Sequence, residues 1–321
     1  MTLRQIQEAR LRLRPYLEKT PLVYSEGLSK RVGKSVFLKL ETQLPTSSFK
    51  PRPAFNGMLV RLREARARGV ISSSSGNFAQ AVAYAAKSLG VSAEVVMTRS
   101  ASAYKRERTR ALGARILLSP DGYDERLALL RRRQEETGRI LLHQYDSEET
   151  IAGDGTIGLE IDEDLRGRGP YAVICPTSGG GLTSGLALVA VNSGRRNAVH
   201  GVLPQSHRWR SARLGLKPAS RAVKTTIADA LIPAKQGERT TPIVERLVES
   251  LSTATNAEIR AALRFLALEQ RLILEPAAAA PVAALLSGKL RVRQGTIVCV
   301  LTGANIDFPD FAAYLSENPK A

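Results

Sequence analysis

The 321-residue chain has only two cysteines, too few for a disulfide-built scaffold. Each lies inside an apolar run, Cys175 in "YAVICP" and Cys299 in "TIVCVL", the setting of buried free thiols in a reducing compartment. No motif with metal-ligand spacing accompanies them. Long hydrophobic runs are missing as well. The most apolar stretch, "LILEPAAAAPVAALL", is broken by Glu275 and two prolines, short of the roughly 18 uninterrupted apolar residues that a membrane helix needs. The start, "MTLRQIQEARLRLRPYL", threads charge through its apolar positions and lacks the uncharged core of a signal peptide. A cytoplasmic protein without a membrane partner is expected.

Acidic residues are also scarce, 30 against 47 lysines and arginines, for a formal net charge of +17. Such an excess suits either an anionic partner such as nucleic acid or an arginine-rich surface that favours anionic metabolites. Aromatics make up only 5% of the chain, a poor supply for base stacking. The basic residues are dispersed through segments such as "RLREARARG" and "RLALLRRRQEE", with glutamates between them. Solvated helix faces account for most of them, and nucleic acid is not expected as a partner.

What the chain does have is alternation. Short apolar or β-branched runs at 36–40, 69–73, 93–97, 115–119, 139–143, 171–176, 198–202 and 296–301 read as strands. Between them "NFAQAVAYAAKSLG", "SAYKRERTRALG" and "TNAEIRAALRFLALEQ" carry apolar residues at helical spacing. This pattern predicts an α/β protein of parallel sheets covered by helices, without internal repeats or long linkers. Such sheets bind ligands where strands run into helices. "SSSSGNFAQ" (72–80) is one such junction, able to hold a carboxylate on its amides and to offer the Asn77 side chain, though a plain helix cap looks the same. "PTSGGGLTSG" (176–185) has three glycines that let amides approach a phosphate, or simply make a tight turn, and it is neither a Walker loop nor a dinucleotide fingerprint. "VCVLTGANID" (298–307) ends a strand in Thr302, a neutral hydroxyl for a ring nitrogen or an ordinary loop residue. In "PTSSFKPRPAF" (45–55), Lys50 stands among hydroxyls and an aromatic ring, with proline immediately after it.

Together these segments resemble the pyridoxal-phosphate enzymes of fold type II, the tryptophan-synthase β-like group, and within it the serine/threonine dehydratase and serine racemase branch. "PTSSFKPRPA" is similar to that group's TGSFKxRGA, and "SSGNFAQAVAYAAKSLG" to SSGNHAQGVAYAA. "ETIAGDGTIGLEI" resembles IAGQGTIGLEI, "TIADAL" resembles TIADGL, "LILEPAAAAPVAALL" the EPSGAAALAAL helix, and "LTGANID" resembles LSGGNVD. The likeness runs nearly from end to end and in the same order.

The resemblance implies a two-lobed protein, each lobe a mostly parallel sheet covered by helices. A small mobile lobe, 52–145, is inserted into a larger cofactor-binding lobe, 1–51 and 146–321. Lys50 would hold pyridoxal phosphate covalently and, once displaced by substrate, remove the Cα proton. Ser178, Gly179, Gly180, Gly181 and Leu182 would cradle the phosphate, Asn77 the ring hydroxyl, and Thr302 the pyridine nitrogen. Ser74, Ser75, Gly76, Asn77 and Phe78 would receive the substrate carboxylate. The implied reaction removes water from a threonine- or serine-like β-hydroxy amino acid, giving a 2-oxo acid and ammonia. Ser75 matches the second acid of racemases, which keeps amino acid racemisation as the alternative. A non-catalytic binding protein on the same fold is a third reading. A homodimer is usual in the group.

Four departures bear on the substrate. Pro53 and Ala230 stand where the motifs have glycine, Phe78 replaces histidine, and Asp154 replaces glutamine. A changed, more apolar side-chain pocket is expected. Leu203 occupies the glutamate position of the metal-binding "GVEP" strand of some relatives, and no carboxylate follows in "GVLPQSHRWRSARLG", so no activating metal is expected. The chain ends soon after "TGANID", and no appended regulatory domain is expected.

Overall fold

The structure, a computed structural model, describes residues 1–207, 209, 213–214, 225–232 and 235–316. Residues 208, 210–212 and 215 of the segment after Leu203, where no activating metal is expected, lie outside the described residues. In chain order, α1 (Leu3–Leu13), β1 (Leu22–Tyr24), α2 (Glu26–Val32) and β2 (Ser35–Leu40) lead to the lysine segment. There follow α3 (Pro51–Leu59), α4 (Leu62–Arg68), β3 (Val70–Ser73), α5 (Asn77–Leu89), β4 (Ala93–Thr98), α6 (Ala103–Ala111), β5 (Arg115–Ser119), α7 (Tyr123–Thr137) and β6 (Ile140–Leu142). The chain continues through α8 (Glu148–Asp164), β7 (Tyr171–Pro176), α9 (Gly181–Asn192), β8 (Ala198–Pro204), α10 (Thr240–Leu247) and β9 (Ser250–Ala254). It closes with α11 (Asn256–Gln270), α12 (Pro276–Leu286), β10 (Thr296–Leu301) and α13 (Phe308–Ser316). Among the described residues no helix is long and apolar enough to cross a membrane.

Two sheets result, a six-stranded one in the order β1-β2-β10-β7-β8-β9 and a four-stranded one in the order β5-β4-β3-β6. Every pairing is parallel except β1 on β2. The eight expected strands are all present. β1 and β9 were not anticipated, and both are edge strands. β1 is three residues long with two exposed positions, and β9 reads "SLSTA", so neither carries the apolar run that a doubly covered strand needs. The helices begin and end on local signals. α11 starts with a capping box between Thr255 and Glu258, and α5 stops at Gly90, which takes the left-handed backbone at φ 66.

The core of the four-stranded sheet is built on β3, β4 and α5, but Leu13, Leu17 and Leu44 from the first part of the chain join it. The lysine segment lies at this seam, held by a buried cluster of charge. Arg52 is 2% exposed and donates from Nε and Nη2 to Glu41 at 2.8 and 2.9 Å, and from Nη1 and Nη2 to Glu160 at 2.6 and 2.9 Å. Lys39, wholly buried on β2, donates to Glu160 at 2.7 Å and to the Thr20 carbonyl at 2.6 Å. Burial alone would raise the Glu160 carboxyl, but Arg52 and Lys39 outweigh it and hold it at about 2. Two cations thus meet two anions with their hydrogen bonds made, the condition under which buried charge is tolerated. The cluster fixes the first turn of α3, and with it the residue two places before Arg52, against β2 and α8.

Proline suits this turn. Pro51 occupies the first helical position, where the missing N–H has no helical partner to lose and φ is already set. The backbone of α8 then packs directly on it: a Cβ added at Gly153 would lie 2.7 Å from the Pro53 Cα.

Replacing Arg52 with methionine leaves Glu41 and Glu160 facing each other without their shared cation. Urea unfolding should report a loss of about 3–5 kcal/mol, the range for one removed partner of a buried pair. Arg52→Lys should recover only part of it, because one ammonium cannot engage both carboxylates in the same geometry.

Candidate active site

Short backbone links bring distant segments together. The Phe49 amide donates to the Thr302 carbonyl at 3.1 Å, and the Ala304 amide to the Ser47 carbonyl at 2.9 Å. The end of β10 is thereby stitched to the chain just before Lys50. A cavity of about 260 Å³ opens at this point, and every residue given a catalytic or binding role in the sequence lines it: Lys50, Ser74 through Phe78, Ser178 through Leu182, and Thr302.

Lys50 donates from Nζ to the Gln144 carbonyl at 3.0 Å, and the same nitrogen lies 4.5 Å from the Phe49 ring centre and 5.5 Å from that of Phe78. No carboxylate among the described residues forms an ion pair with it. Desolvation lowers its pKa below the usual lysine range, with Asp154 and Glu275 acting against that shift. A larger neutral fraction makes it a better nucleophile and base than a surface lysine.

The glycine run forms a cradle that no other residue could make. A Cβ at Gly179 would lie 2.3 Å from the Tyr145 ring, and one at Gly181 would come within 2.8 Å of the Tyr145 carbonyl. Gly180 has φ 93 and precedes α9, whose first turn has no side-chain cap. Those amides are available to an anion at the positive end of a buried twelve-residue helix. On the opposite side α5 also starts uncapped, at Asn77, with Gly76 before it. Ser74 Oγ accepts from the Gly76 amide at 3.3 Å, and Ser75 Oγ accepts from the Thr98 amide at 3.2 Å and lies 3.2 Å from its hydroxyl.

Asn77 is held from two directions. It donates from Nδ2 to Glu275 Oε1 at 2.8 Å, and its Oδ1 accepts from Asn305 Nδ2 at 2.9 Å. Thr302 is 4% exposed, and its hydroxyl has no hydrogen-bond partner among the described residues. The arrangement fits pyridoxal phosphate: an enclosed amine for the aldehyde, an uncapped glycine-lined helix start for the phosphate, an oriented amide, and a free neutral hydroxyl. The chain belongs to the family of pyridoxal-phosphate dependent enzymes, whose sequence profile matches residues 13–303.

Within that family its relatives are threonine dehydratases and serine racemases. An L-threonine ammonia-lyase of Thermotoga maritima is 37% identical over 96% of this chain and 76% of its own length. The catabolic L-threonine dehydratase TdcB of Staphylococcus aureus is 34% identical over 96% of this chain and 90% of its own. Among solved structures, the threonine deaminase of T.th. matches at TM-score 0.86 and 36% identity, covering 96% of this chain and 99% of that one. Maize serine racemase matches at TM-score 0.86 and 31% identity, covering 97% and 96%. The α/β architecture with two mostly parallel sheets is the fold type II architecture expected from the sequence.

Several lining residues were not picked out in the sequence. Glu275 was noted there only as a charge interrupting an apolar run. It precedes Pro276 at the start of α12, and a Glu-Pro pair opening an apolar helix is the signal that could have marked it. Lys105, Arg126 and Asp229 also line the cavity. The cavity lined by Phe78 thus carries charged side chains as well. Lys105 and Asp229 are paired at 3.2 Å, a contact between segments more than a hundred positions apart that no local pattern announces.

Burial raises the Glu275 carboxyl to about 7, against the pull of Lys105 and the Asn77 amide. A raised folded-state value means that the neutral acid stabilises the fold below about pH 4.3, the usual unfolded value, and that this contribution is lost as pH rises towards 7. Glu275→Gln, which keeps the acceptor for Asn77 without the charge, should be more stable than the parent at pH 8 by on the order of 3 kcal/mol. The two should converge near pH 4. Denaturant midpoints measured across that range check it.

Proposed function

We propose that the chain is a pyridoxal-phosphate-dependent ammonia-lyase that removes water from a β-hydroxy amino acid of the threonine or serine kind, yielding a 2-oxo acid and ammonia. The observation that carries this reading is the convergence of Lys50, Asn77, the glycine loop and Thr302 on one cavity, in a chain whose curated relatives include threonine ammonia-lyases. Pyridoxal phosphate, when bound, supplies an aldehyde that condenses with amines and an electron sink for negative charge at the substrate Cα. Lys50 is the residue that holds it, with Ser178 through Leu182 on the phosphate, Asn77 on the ring hydroxyl and Thr302 on the ring nitrogen.

The rest of the work falls to side chains and amides. The uncapped start of α5, with Ser74, Ser75 and Gly76 before it, receives the substrate carboxylate and sets the Cα–H bond towards Lys50. The Lys50 amine, whose pKa desolvation lowers, accepts the Cα proton. Thr302 is a neutral hydroxyl, and a neutral partner does not keep a ring nitrogen protonated as a carboxylate would, which favours loss of a β-substituent over transamination. The departing hydroxide needs a proton, and hydroxyls ring the cavity. Closure of the 52–145 lobe over the site would exclude water from these steps. Assembly as a homodimer accords with the same reading.

Racemisation is the second reading. Ser75 stands where racemases have their second acid, and it lines the same cavity as Lys50. Solved racemases of serine and aspartate share the fold at 31% and 29% identity.

Purified protein given L-serine, L-threonine, phenylserine and hydroxyaspartate should release ammonia and 2-oxo acid in step, with a preference for a substrate other than plain serine. Lys50→Ala should lower the rate by at least about a thousandfold. Borohydride treatment followed by peptide mapping should label Lys50. Inversion of the amino acid outpacing oxo-acid formation, and lost in Ser75→Ala, would move the assignment to a racemase. Absence of both activities and of any label would leave the binding-protein reading.

A further inference from the structure

Beneath the glycine loop lies a carboxyl group that the reaction above does not use. Asp154, on α8, is 0% exposed, and neither of its oxygens has a hydrogen-bond partner. It stands where the motif matched in the sequence has glutamine, a neutral side chain. Its Oδ2 lies 3.0 Å from the position a Cβ on Gly181 would take, and Gly181 is the first residue of the uncapped α9. The carboxyl therefore points at the same helix start that the loop offers to an anion. It has little room to withdraw, because α8 and α9 touch through glycine: a Cβ at Gly185 would come within 2.6 Å of the Gly155 nitrogen.

The surrounding charges leave one cation to answer it. On α8 itself, Glu160 is engaged by Arg52 and Lys39. From α3, Arg52 is taken up by Glu41 and Glu160. From the segment after β6, Asp146 accepts the amides of Glu238, Arg239 and Thr240, and His143 accepts those of Tyr145 and Asp146. From α1, Arg12 is bonded to Asn56 and paired with Glu8. The α9 sequence, GLTSGLALVAVN, has no ionisable side chain. Lys50 remains, its charge the main one opposing the burial that raises Asp154 to about 7.

We propose that Asp154 is a proton-exchanging residue of the phosphate site, ionised above neutral pH in the protein without phosphate and protonated when a phosphate dianion rests in the glycine loop. The proposal depends on reading that loop as the phosphate site. A carboxylate and a dianion facing the same helix start repel each other strongly, and the buried side chain relieves this by taking one proton from solvent. No bond to carbon or phosphorus forms or breaks. As the neutral acid, Asp154 also gains an O–H with which to donate to the loop. The sign is set: phosphate-bearing ligands bind more weakly as pH rises, by up to about tenfold per unit above the Asp154 value.

The test is calorimetric titration of cofactor-free full-length protein with pyridoxine 5′-phosphate, which carries the ring and phosphate but no aldehyde. Two buffers of different ionisation enthalpy count the protons exchanged. At pH 8 the parent should take up about one proton per ligand, and Asp154→Asn, with Asp154→Gln as a second neutral variant, should take up none. At pH 6 the three proteins should exchange nearly equal numbers, and from pH 7 to 9 the two variants should bind with nearly constant affinity. Equal proton counts in parent and variants at pH 8 would assign the uptake elsewhere and overturn the proposal while leaving the site reading intact. Lack of uptake by the parent at pH 8 would overturn it without any variant. Lack of binding by all three proteins would overturn the site reading and this proposal with it.

Discussion

Arg52 is the residue on which the geometry of this molecule depends. Its guanidinium joins Glu41, just after β2, to Glu160 on α8, and Lys39 completes the charge balance. Lys50 is two residues away, and Pro51 between them admits little backbone freedom. A flexible lysine thus gains a fixed root, which matters because an amine that must reach both a cofactor and a substrate proton works only from a defined position. The charges are costly to bury singly and tolerable as a set. The cluster ties the first turn of α3 to the end of β2 and to α8.

Around that root the site is built from incomplete structure. α5 and α9, like several other helices of the chain, begin without side-chain caps, and the residues at these two starts line the cavity. The Thr302 hydroxyl and the Asp154 carboxyl are likewise unpartnered among the described residues. Each of these deficits faces the cavity or the loop that borders it. Buried polar groups left unsatisfied in this way lower stability in the free protein and become binding energy when a ligand completes them.

The electrostatics follow the same logic. Burial lowers Lys50 below the usual lysine range and raises Glu275 and Asp154 to about 7, so two carboxyls that would be fully charged in water sit within reach of titration near neutrality. Such a concentration of displaced values belongs to sites that move protons. The +17 net charge is a property of the whole chain. It attracts anions in general without selecting one.

Much of this was legible beforehand. The apolar runs marked eight strands because doubly covered parallel strands must be apolar on both faces. The lysine segment, the glycine loop and the strand-end threonine were visible because each is a contiguous motif with its own local chemistry. The short edge strands β1 and β9 escaped because edges need no such pattern, and the meaning of Glu275 and Asp154 escaped because it lies in what the fold places around them. Sequence alone determined eight of the strands, the family resemblance and the residues worth watching. Only the tertiary structure decided that Arg52 anchors Lys50, that Glu275 orients Asn77, and that Asp154 lies beneath Gly181. Pairings between residues far apart in the chain are set by how sheets and helices stack, and one-dimensional spacing does not encode that packing.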